Sequence, residues 1–416
     1  MSRPYDIVVW GANGFTGRKV AKYLGVTRPA ANGSSTPIRW AAAGRDAARV
    51  RAALCESGIP AGSVPEVLVA DINAPHTLDE MCKKARVIIA CAGPFANVGF
   101  PVAAACVRNG THYVDITGEF PYVRTLVEKL HDAAVVAGVC VVPCCGFDSM
   151  PSDLVNWRLH RLAEAKGQRL VDVKTYFSVR GGFSRGTMDS ILNIFETITK
   201  EDLHPLALVP RDQRGGIPKA TSAIGVSYAS LMKSWTCPFL MAGINEKVVR
   251  RSNFLMSRRA AYAEAMLGGF WTCLLVTTFV YVSGLLMIPF VRRLVTRWLP
   301  PARGGPSSEQ TSKGCFTVVG FGSIAAASSA AQLSPLKATL KSDRGLEGYE
   351  GTAVMVSEAA IAIALGEFNA DVAYTAGVVG ATGRPSGVLT PAFTVGDALI
   401  RRLDGAGIHM SNAASL

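Results

Sequence analysis

The chain has 416 residues, of which 49% are hydrophobic and 18% are charged, so it is long enough for two domains and apolar enough to bury large cores. This composition excludes a disordered protein. The formal net charge is +12, but nine lysines and arginines stand against two acidic residues between positions 246 and 303, without the interleaved aromatic residues typical of RNA binding. Because the excess charge is local and surrounds an apolar segment, we expect no nucleic acid partner.

The cysteines and histidines give no sign of a metal site. The ten cysteines include no C-x-x-C pair, and none of the six histidines stands at metal-ligand spacing from another histidine or a cysteine. We therefore predict no metal, and we interpret the cysteines as small core residues in a reducing compartment. Since no signal-peptide h-region precedes the first predicted strand, we expect a cytosol-facing protein.

The stretch YDIVVWGANGFTGRKVAKYLG, residues 5–25, predicts a strand, a glycine-rich loop and a helix. Apolar and β-branched residues lead into the first glycine, and the helix-prone run ends at Gly25, a natural C-cap. In such a unit the loop lets backbone N–H groups approach a phosphate, and the helix N-terminus favours an anion. The alternative is a glycine-rich turn without a ligand. The predicted cofactor-binding residues of the loop are Gly11, Ala12, Asn13, Gly14, Phe15, Thr16 and Gly17.

The segment IRWAAAGRD predicts the second strand of this unit, which ends at Gly44 and Arg45. At this position an acidic residue accepts a hydrogen bond from the ribose 2′-OH of NAD, whereas an arginine accommodates the 2′-phosphate of NADP. Gly44 and Arg45 are therefore predicted cofactor contacts, and Arg45 favours NADP. Asp46 follows directly, so NAD remains an alternative cofactor. A solvated surface arginine is the alternative interpretation of Arg45.

Four further predicted strands alternate with helical segments up to residue 153, which predicts a doubly wound parallel sheet. Ligands bind outside the carboxyl ends of such strands, where each of these strands runs into small or polar residues. The cofactor-binding residues predicted there are Asp71, Cys91, Ala92, Gly93, Pro94, Thr117 and Gly118. Asp148 is our catalytic candidate for substrate orientation or proton handling, and Glu119 is a second candidate at the ribose or substrate rim. For both carboxylates a helix cap is the alternative.

Taken together, these runs resemble the saccharopine dehydrogenase-like oxidoreductases, a group that also resembles the trans-acting enoyl reductases of bacterial lipid synthesis. The resemblance implies an NADP-type Rossmann domain, a second α/β domain inserted after Asp153, and a C-terminal helix that returns to the first domain. It leaves the substrate open. The residues that carry it are Gly11–Gly17, Ala43–Arg45, Cys91–Pro94, Asp115–Glu119 and Gly146–Asp153, with weaker support from GYEGTAVMVSEAAIAIAL and GVLTPAFTVGDALIRRL.

Two related chemistries are disfavoured by the residues themselves. Short-chain dehydrogenases need a Tyr-x-x-x-Lys pair, and none of the ten tyrosines has a lysine four residues later. Saccharopine carries three carboxylates and would require several cations, but Arg180 and Arg185 are the only close pair near a likely cleft, and a surface position is the alternative for either. We therefore expect a different substrate. Thr187, Asp189 and Ser190 are candidates to face that substrate, with capping and solvation as the alternative.

Residues 265–291 contain no charged residue and, at ~1.5 Å per residue, are long enough to cross a hydrocarbon core of ~30 Å as one helix. Arginines on both sides give no preferred orientation, and residues 315–416 complete the same enzyme. We therefore predict a helix or helical hairpin that enters one leaflet and returns, with Trp271, Tyr281 and Trp298 near the interface and the flanking arginines near anionic head groups. A helix buried in the core or in a homodimer interface is the alternative.

The predicted architecture is α/β, with an N-terminal Rossmann-type doubly wound parallel sheet, a second α/β substrate domain and a hydrophobic membrane-associating segment. We predict an NADP-dependent oxidoreductase that moves hydride to or from a lipophilic substrate, in lipid or glycolipid metabolism, on a cytosol-facing membrane or lipid-droplet surface, with mitochondrial and other organellar membranes also open. The alternative is a non-catalytic NADP-binding scaffold or redox sensor on such a surface. The predicted divisions are 1–153 for the Rossmann domain, 154–245 and 315–416 for the substrate domain, 246–300 for the hydrophobic segment and 301–314 for a linker.

Overall fold

The computed structural model describes residues 3–28, 37–180, 194–219, 222, 224–298, 314–324, 335–369, 377–380 and 383–412. Its strands are β1 Tyr5–Trp10, β2 Trp40–Gly44, β3 Val67–Val69, β4 Ala85–Ala90, β5 His112–Asp115, β6 Cys140–Val142, β7 Leu170–Arg180, β8 Ser227–Ala229, β9 Ser234–Cys237, β10 Ala261–Gly268, β11 Cys315–Ile324, β12 Leu336–Ser342, β13 Gly387–Val388 and β14 Ile408–Ser411. Its α-helices are α1 Phe15–Lys22, α2 Ala47–Glu56, α3 Pro75–Lys84, α4 Phe95–Arg108, α5 Phe120–Val136, α6 Met150–Glu164, α7 Ala242–Leu255, α8 Phe270–Ser283, α9 Pro289–Trp298, α10 Gly348–Leu365 and α11 Pro391–Asp404.

The first sheet is parallel throughout, in the order β13-β6-β5-β4-β1-β2-β3, which confirms the predicted doubly wound domain. The interior strand β1 is buried on both faces, as the continuous apolar run before Gly11 requires. The strand order reverses at β1, between β2 and β4. The crevice at this switch point therefore lies beside the glycine-rich loop that follows β1.

The second sheet is mixed, in the order β14-β12-β11-β7-β10-β9-β8. Its centre is an antiparallel pairing of β7 with β11, in which Val179 lies opposite Phe316. Helix α6 covers this sheet closely at Gly320, where a Cβ atom would lie 2.3 Å from a methyl carbon of Val155. Helix α6 therefore ties the Rossmann domain, whose last loop it follows, to the second sheet.

The C-terminal part of the chain returns to the Rossmann domain, in agreement with the resemblance. Helix α10 is almost entirely buried and packs against α1, β1, β4 and β5. The Tyr23 hydroxyl on the first domain donates to the Glu358 carboxylate on α10 at 2.8 Å, and Arg402 on α11 pairs with the same carboxylate at 3.0 Å. Strand β13 then extends the first sheet beside β6, a contribution that the sequence pattern did not predict.

The predicted hydrophobic segment 246–300 is not one unit. The boundary at 245/246 falls inside α7, and β10 is an internal strand of the second sheet, paired with β7 and β9. Arg250 and Arg251, which precede the apolar run, are buried: Arg250 pairs with Glu246 at 2.9 Å, and Arg251 donates to the Leu208 carbonyl at 2.6 Å. The expectation that these two arginines approach lipid head groups is therefore wrong.

The apolar run 265–291 also divides into different elements. Its first four residues complete β10, and the remainder forms α8, a short 3₁₀ turn at Gly284–Met287 and the start of α9. Within the described ranges, no helix combines the length and the apolarity needed to cross a membrane. Most side chains of α8 are exposed, Trp271 by 77%, so the alternative of a helix buried in this chain's core is wrong.

Candidate functional site

The glycine-rich loop has the backbone geometry of a phosphate cradle. Gly11 adopts φ +79°, and a Cβ atom there would lie 2.8 Å from the Cβ of Ala92, so the residue must be glycine. The Gly14 N–H donates to the Gly11 carbonyl at 3.0 Å, which closes the turn. A Cβ on Gly17 would lie 2.2 Å from the Gly11 carbonyl oxygen, so this glycine lets α1 approach the loop. The predicted strand, loop and helix are confirmed.

The N-terminus of α1 is free to receive an anion. Its N-cap is Gly14, and no side chain caps it among the residues that the structure describes. The first turn carries no acidic residue, whereas Lys19 and Lys22 lie in the last turn. Uncapped backbone N–H groups and the positive end of the helix dipole therefore face the crevice, which fits the pyrophosphate of a dinucleotide.

At the end of β2, Arg45 and Asp46 differ in whether their side chains have a partner. Asp46 is the N-cap of α2, and its carboxylate accepts a hydrogen bond from the Arg49 N–H at 3.0 Å. Arg45 is exposed and makes no hydrogen bond or ion pair with any residue in the described ranges. It follows Gly44, whose missing Cβ would lie 3.7 Å from the side-chain oxygen of Asn13 in the loop. The unpaired guanidinium thus stands where a 2′-phosphate would bind.

Asp71 lies just after β3, on the same edge of the sheet. Its carboxylate accepts a hydrogen bond from the Asn73 N–H at 3.0 Å, and its own N–H donates to the Thr77 hydroxyl at 2.9 Å. These bonds form a tight turn that leads into α3. Asp71 therefore shapes the rim of the crevice through its turn.

Glu119 holds the loop that follows β4. It is buried, and its two carboxylate oxygens accept from the Phe95 and Ala96 N–H groups, at 2.9 and 3.0 Å. These groups open α4, directly after the predicted cofactor contacts Cys91, Ala92, Gly93 and Pro94. Glu119 thus caps a helix, as the alternative allowed, and it is the partner that positions this loop.

Asp115, which sequence reasoning did not single out as a site residue, joins the loops after β5 and β6. Its buried carboxylate accepts from the N–H groups of Thr117 and Cys144 and from the Tyr113 hydroxyl, each at 3.0 Å. Burial raises its pKa to about 7 in spite of these hydrogen bonds. The only available signal was its place at the end of a predicted strand, immediately before the Thr117–Gly118 contacts.

Asp148 lies in the loop between β6 and α6 and faces the crevice. The N-cap of α6 is Ser149, so the cap interpretation of Asp148 is wrong. The Asp148 Oδ2 atom lies 3.4 Å from the Cβ position of Gly118, as does the terminal methyl of Met241 at the start of α7. Its carboxylate has no hydrogen bond or ion pair among the described residues, and burial raises its pKa to about 6. Asp148 is therefore a carboxyl group without a hydrogen-bond or ion-pair partner among the described residues, and it lies where the two domains meet.

A buried polar network supports this loop from below. The Ser149 hydroxyl donates to the Asn245 side-chain oxygen at 3.0 Å, and the Asn245 amide donates to Glu264 on β10 at 2.9 Å. Glu264 also accepts from the Ser152 and Tyr262 hydroxyls, at 2.8 and 3.0 Å, and burial raises its pKa to about 8. The network connects the residue after Asp148 to the second sheet. These residues show no distinctive sequence motif.

Two further contacts close the site. On α10, the Thr352 hydroxyl accepts from the Phe147 N–H at 3.0 Å, and the ring of Tyr349 packs edge-on against Phe15 at 5.3 Å, so this helix fixes both the Asp148 loop and the glycine-rich loop. On α7, the buried Lys247 amine lies 4.6 Å from the centre of the Phe120 ring, and burial lowers its pKa to about 8.

The candidates Arg185, Thr187, Asp189 and Ser190 lie outside the described residues.

The fold and the crevice define a Rossmann-type, dinucleotide-dependent oxidoreductase. Residues 7–142 match the family of the saccharopine dehydrogenase NADP-binding domain. The chain is 32% identical over 436 residues to the trans-acting enoyl reductase of Mycobacterium tuberculosis, an alignment that covers 98% of this chain and 97% of that protein. It is 31% identical over 438 residues to the protein of the same name from Mycobacterium leprae, again over 98% of this chain and 97% of the relative. The chain therefore belongs to the saccharopine dehydrogenase-like family of NADP-dependent oxidoreductases, which includes the trans-acting enoyl reductases.

Among solved structures, saccharopine dehydrogenase (L-Glu forming) from Saccharomyces cerevisiae shares the fold. It matches with a TM-score of 0.50 and 14% identity over 99% of this chain and 100% of that chain. The open cradle at Gly14 and the unpaired Arg45 fit NADP, which is the cofactor.

Proposed function

We propose that the protein is an NADPH-dependent reductase that saturates an activated carbon–carbon double bond in a lipophilic acyl substrate. One observation carries the proposal: an uncommitted carboxyl, Asp148, faces the crevice beside Gly118, at the carboxyl ends of the strands where the nicotinamide half of a dinucleotide binds. Full-length relatives named trans-acting enoyl reductases support this choice of reaction.

The reaction needs one hydride and one proton. When bound, the reduced nicotinamide would supply the hydride for the carbon distant from the substrate carbonyl. The carbon next to the carbonyl then requires a proton, and we assign Asp148 as its donor. Because burial raises its pKa to about 6, a fraction of the carboxyl is protonated near neutral pH, as a general acid must be. Met241 adds an apolar wall beside this acid, which suits a hydrocarbon substrate.

The chain's other residues hold this geometry. Glu119 fixes the loop before α4, Asp115 joins the loops after β5 and β6, and the Ser149–Asn245–Glu264 network fixes the loop that carries Asp148. Each of these side chains is buried, so the loops are preorganised before the substrate binds. A substrate of this class belongs to lipid or glycolipid metabolism.

The proposal is tested by following NADPH oxidation with enoyl thioesters of increasing acyl length, using the full-length protein. We expect turnover with KM falling as the chain lengthens, at roughly 0.8 kcal/mol per buried CH₂. Asp148→Asn should keep its NADPH affinity and lose activity by about 10²–10⁴-fold. Tight NADPH binding without turnover of any thioester would instead support the scaffold or redox-sensor hypothesis.

A further inference from the structure

Helix α8 is apolar around its whole circumference and yet mostly exposed. It contains no charged residue, and only Cys273 and Thr277 of its fourteen residues are buried. A helix that is apolar on all sides is normally buried in a protein or in lipid. Here the helix packs against β9 and β10 of the second sheet, and nine of its fourteen residues are exposed.

The exposed apolar area continues through the 3₁₀ turn onto α9. Trp271, Leu275 and Phe290 are 77%, 70% and 74% exposed. Concentrated apolar patches of this kind mark interaction surfaces on soluble proteins. We call this patch the α8–α9 surface and define it by Trp271, Leu275, Phe279, Val282, Phe290 and Leu294, all of which are exposed.

The charges on this surface are all positive. Exposed Arg293 and Arg297 lie three and seven residues after Phe290, on the same side of α9, and no acidic residue occurs between positions 265 and 308. Arginine can lay its aliphatic stem along an apolar surface while its guanidinium stays at the level of polar head groups. An apolar face that carries only arginines is complementary to an anionic lipid surface rather than to a neutral protein groove.

The aromatic residues at the start of α8 form a rigid anchor. Phe270 packs edge-on against Trp235 of β9 at 5.0 Å and against Trp271 at 5.2 Å, and Trp235 contacts Tyr228 of β8 at 5.4 Å. Trp271 is therefore held outward by the edge of the second sheet. Aromatic side chains in such a position are typical of the membrane–water interface.

The length of α8 decides how it meets the membrane. Fourteen residues span ~21 Å, less than the ~30 Å of a hydrocarbon core, and the helix begins two residues after β10, a strand inside the second sheet. We propose that the α8–α9 surface docks the protein onto one leaflet of a phospholipid membrane that contains anionic head groups. In this arrangement α8, which is apolar on all sides, is immersed among the acyl chains of that leaflet, and the arginines of α9 lie at the level of its head groups.

This inference is independent of the proposed reaction, because it concerns a surface on the second sheet and makes no use of Asp148. A lipid-droplet surface presents the same head groups as one leaflet.

The test is flotation of the full-length protein with vesicles of phosphatidylcholine, with or without phosphatidylserine. We expect binding that phosphatidylserine strengthens. Trp271→Glu and Phe290→Glu should each weaken binding by roughly tenfold or more, because each removes a large apolar side chain from the interface. Arg293→Gln with Arg297→Gln should remove the phosphatidylserine effect, at about fivefold for each arginine. Val136→Glu, a matched change at an 86% exposed valine at the end of α5, should leave binding unchanged.

NADPH affinity, measured for every variant, distinguishes loss of docking from loss of folding. Quenching of Trp271 fluorescence by brominated acyl chains should occur in wild type and fall in Trp271→Phe. The proposal is overturned if Trp271→Glu floats as wild type does. It is also overturned if wild type binds neither vesicle and forms a dimer that Trp271→Glu converts to a monomer, since the surface would then join two copies of the chain.

Discussion

We expect the cofactor preference to depend on Arg45. Its guanidinium is exposed and has no partner among the described residues, whereas the neighbouring Asp46 carboxylate is engaged at the start of α2. The sequence alone could not decide between these two side chains, because it does not show which of them caps the helix. The hydrogen bond from Arg49 to Asp46 decides it.

We therefore predict that Arg45→Ala weakens NADP binding by roughly 10- to 100-fold, as expected for the loss of a charge-assisted contact of about 1.5–3 kcal/mol. NAD lacks the 2′-phosphate, so its affinity should stay within about twofold and serves as the internal control. Titration calorimetry of both cofactors measures the two effects. An equal loss for NAD and NADP would show that Arg45 does not contact the 2′-phosphate.

Asp148 should dominate the pH dependence of catalysis. Burial raises its pKa to about 6, and a general acid must be protonated to act. We expect kcat/KM to fall as the pH rises above about 6, approaching tenfold per pH unit, and to be constant below it. Asp148→Asn should lose this dependence together with most of the activity. A wild-type profile that is flat from pH 5 to pH 8 would assign the proton to another group.

At the scale of elements, the glycine-rich loop packs directly against the loop after β4, since a Cβ atom on Gly11 would lie 2.8 Å from the Cβ of Ala92. A Cβ atom on Gly14 would already lie 3.2 Å from the Gly11 carbonyl oxygen, so a branched side chain there would crowd the loop that we assign to the pyrophosphate. We predict that Gly14→Val abolishes the binding of NADP and NAD alike while the protein stays folded. The control is Gly62→Val, since no atom lies within 4 Å of the Cβ position there. Unchanged cofactor affinity in folded Gly14→Val would mean that the loop is only a turn.

The network below Asp148 should make the free energy of unfolding depend on pH. The folded state raises the Glu264 pKa from 4.5 to about 8, so between these values the folded carboxyl keeps a proton that the unfolded chain releases. Stability contributed by the protonated carboxyl is therefore present below pH 4.5 and is lost as the pH rises towards about 8, at up to about 1.4 kcal/mol per pH unit.

Glu264→Gln cannot ionise and keeps the shape of the side chain. We predict that denaturant unfolding from pH 5 to pH 8 shows a smaller loss of stability in this variant than in wild type. Asp115 and Asp153, whose pKa values are each raised to about 7, leave a residual dependence in both proteins. Parallel stability curves for the two proteins would show that Glu264 is ionised in the folded state.

The sequence predicts elements well where local periodicity and burial coincide. Strand β1, its loop and α1 follow from residues 5–25, and the parallel order follows from alternating strands and helices. Strand β13 could not be predicted, because its two residues join β6 from the far end of the chain. The sequence could not show that segment 246–300 divides between the protein core and its surface. Arginines normally lie at the surface, whereas Arg250 and Arg251 are buried and have their partners in the folded core.

At the scale of the whole molecule, the site belongs to both domains. The Rossmann domain provides the cradle and Asp148, α7 provides Met241 on the facing wall, and α10 returns from the C-terminal part to fix Phe15 and Phe147. Sequence reasoning could assign residues to the cofactor side of this crevice because glycines and strand ends carry a motif. It could not find Asn245 or Glu264, because their role depends on contacts between residues about a hundred positions apart.

The central claim is that NADPH and Asp148 together reduce a lipophilic double bond, and isotope transfer tests it most directly. Wild-type protein is incubated with NADPH deuterated at C4 and a long-chain enoyl thioester, and the product is analysed by mass spectrometry. The account predicts one deuterium from the cofactor, a second hydrogen that comes from solvent, and a rate reduced by about 10²–10⁴-fold in Asp148→Asn with NADPH affinity retained. Tight NADPH binding with no deuterium in any product would contradict it.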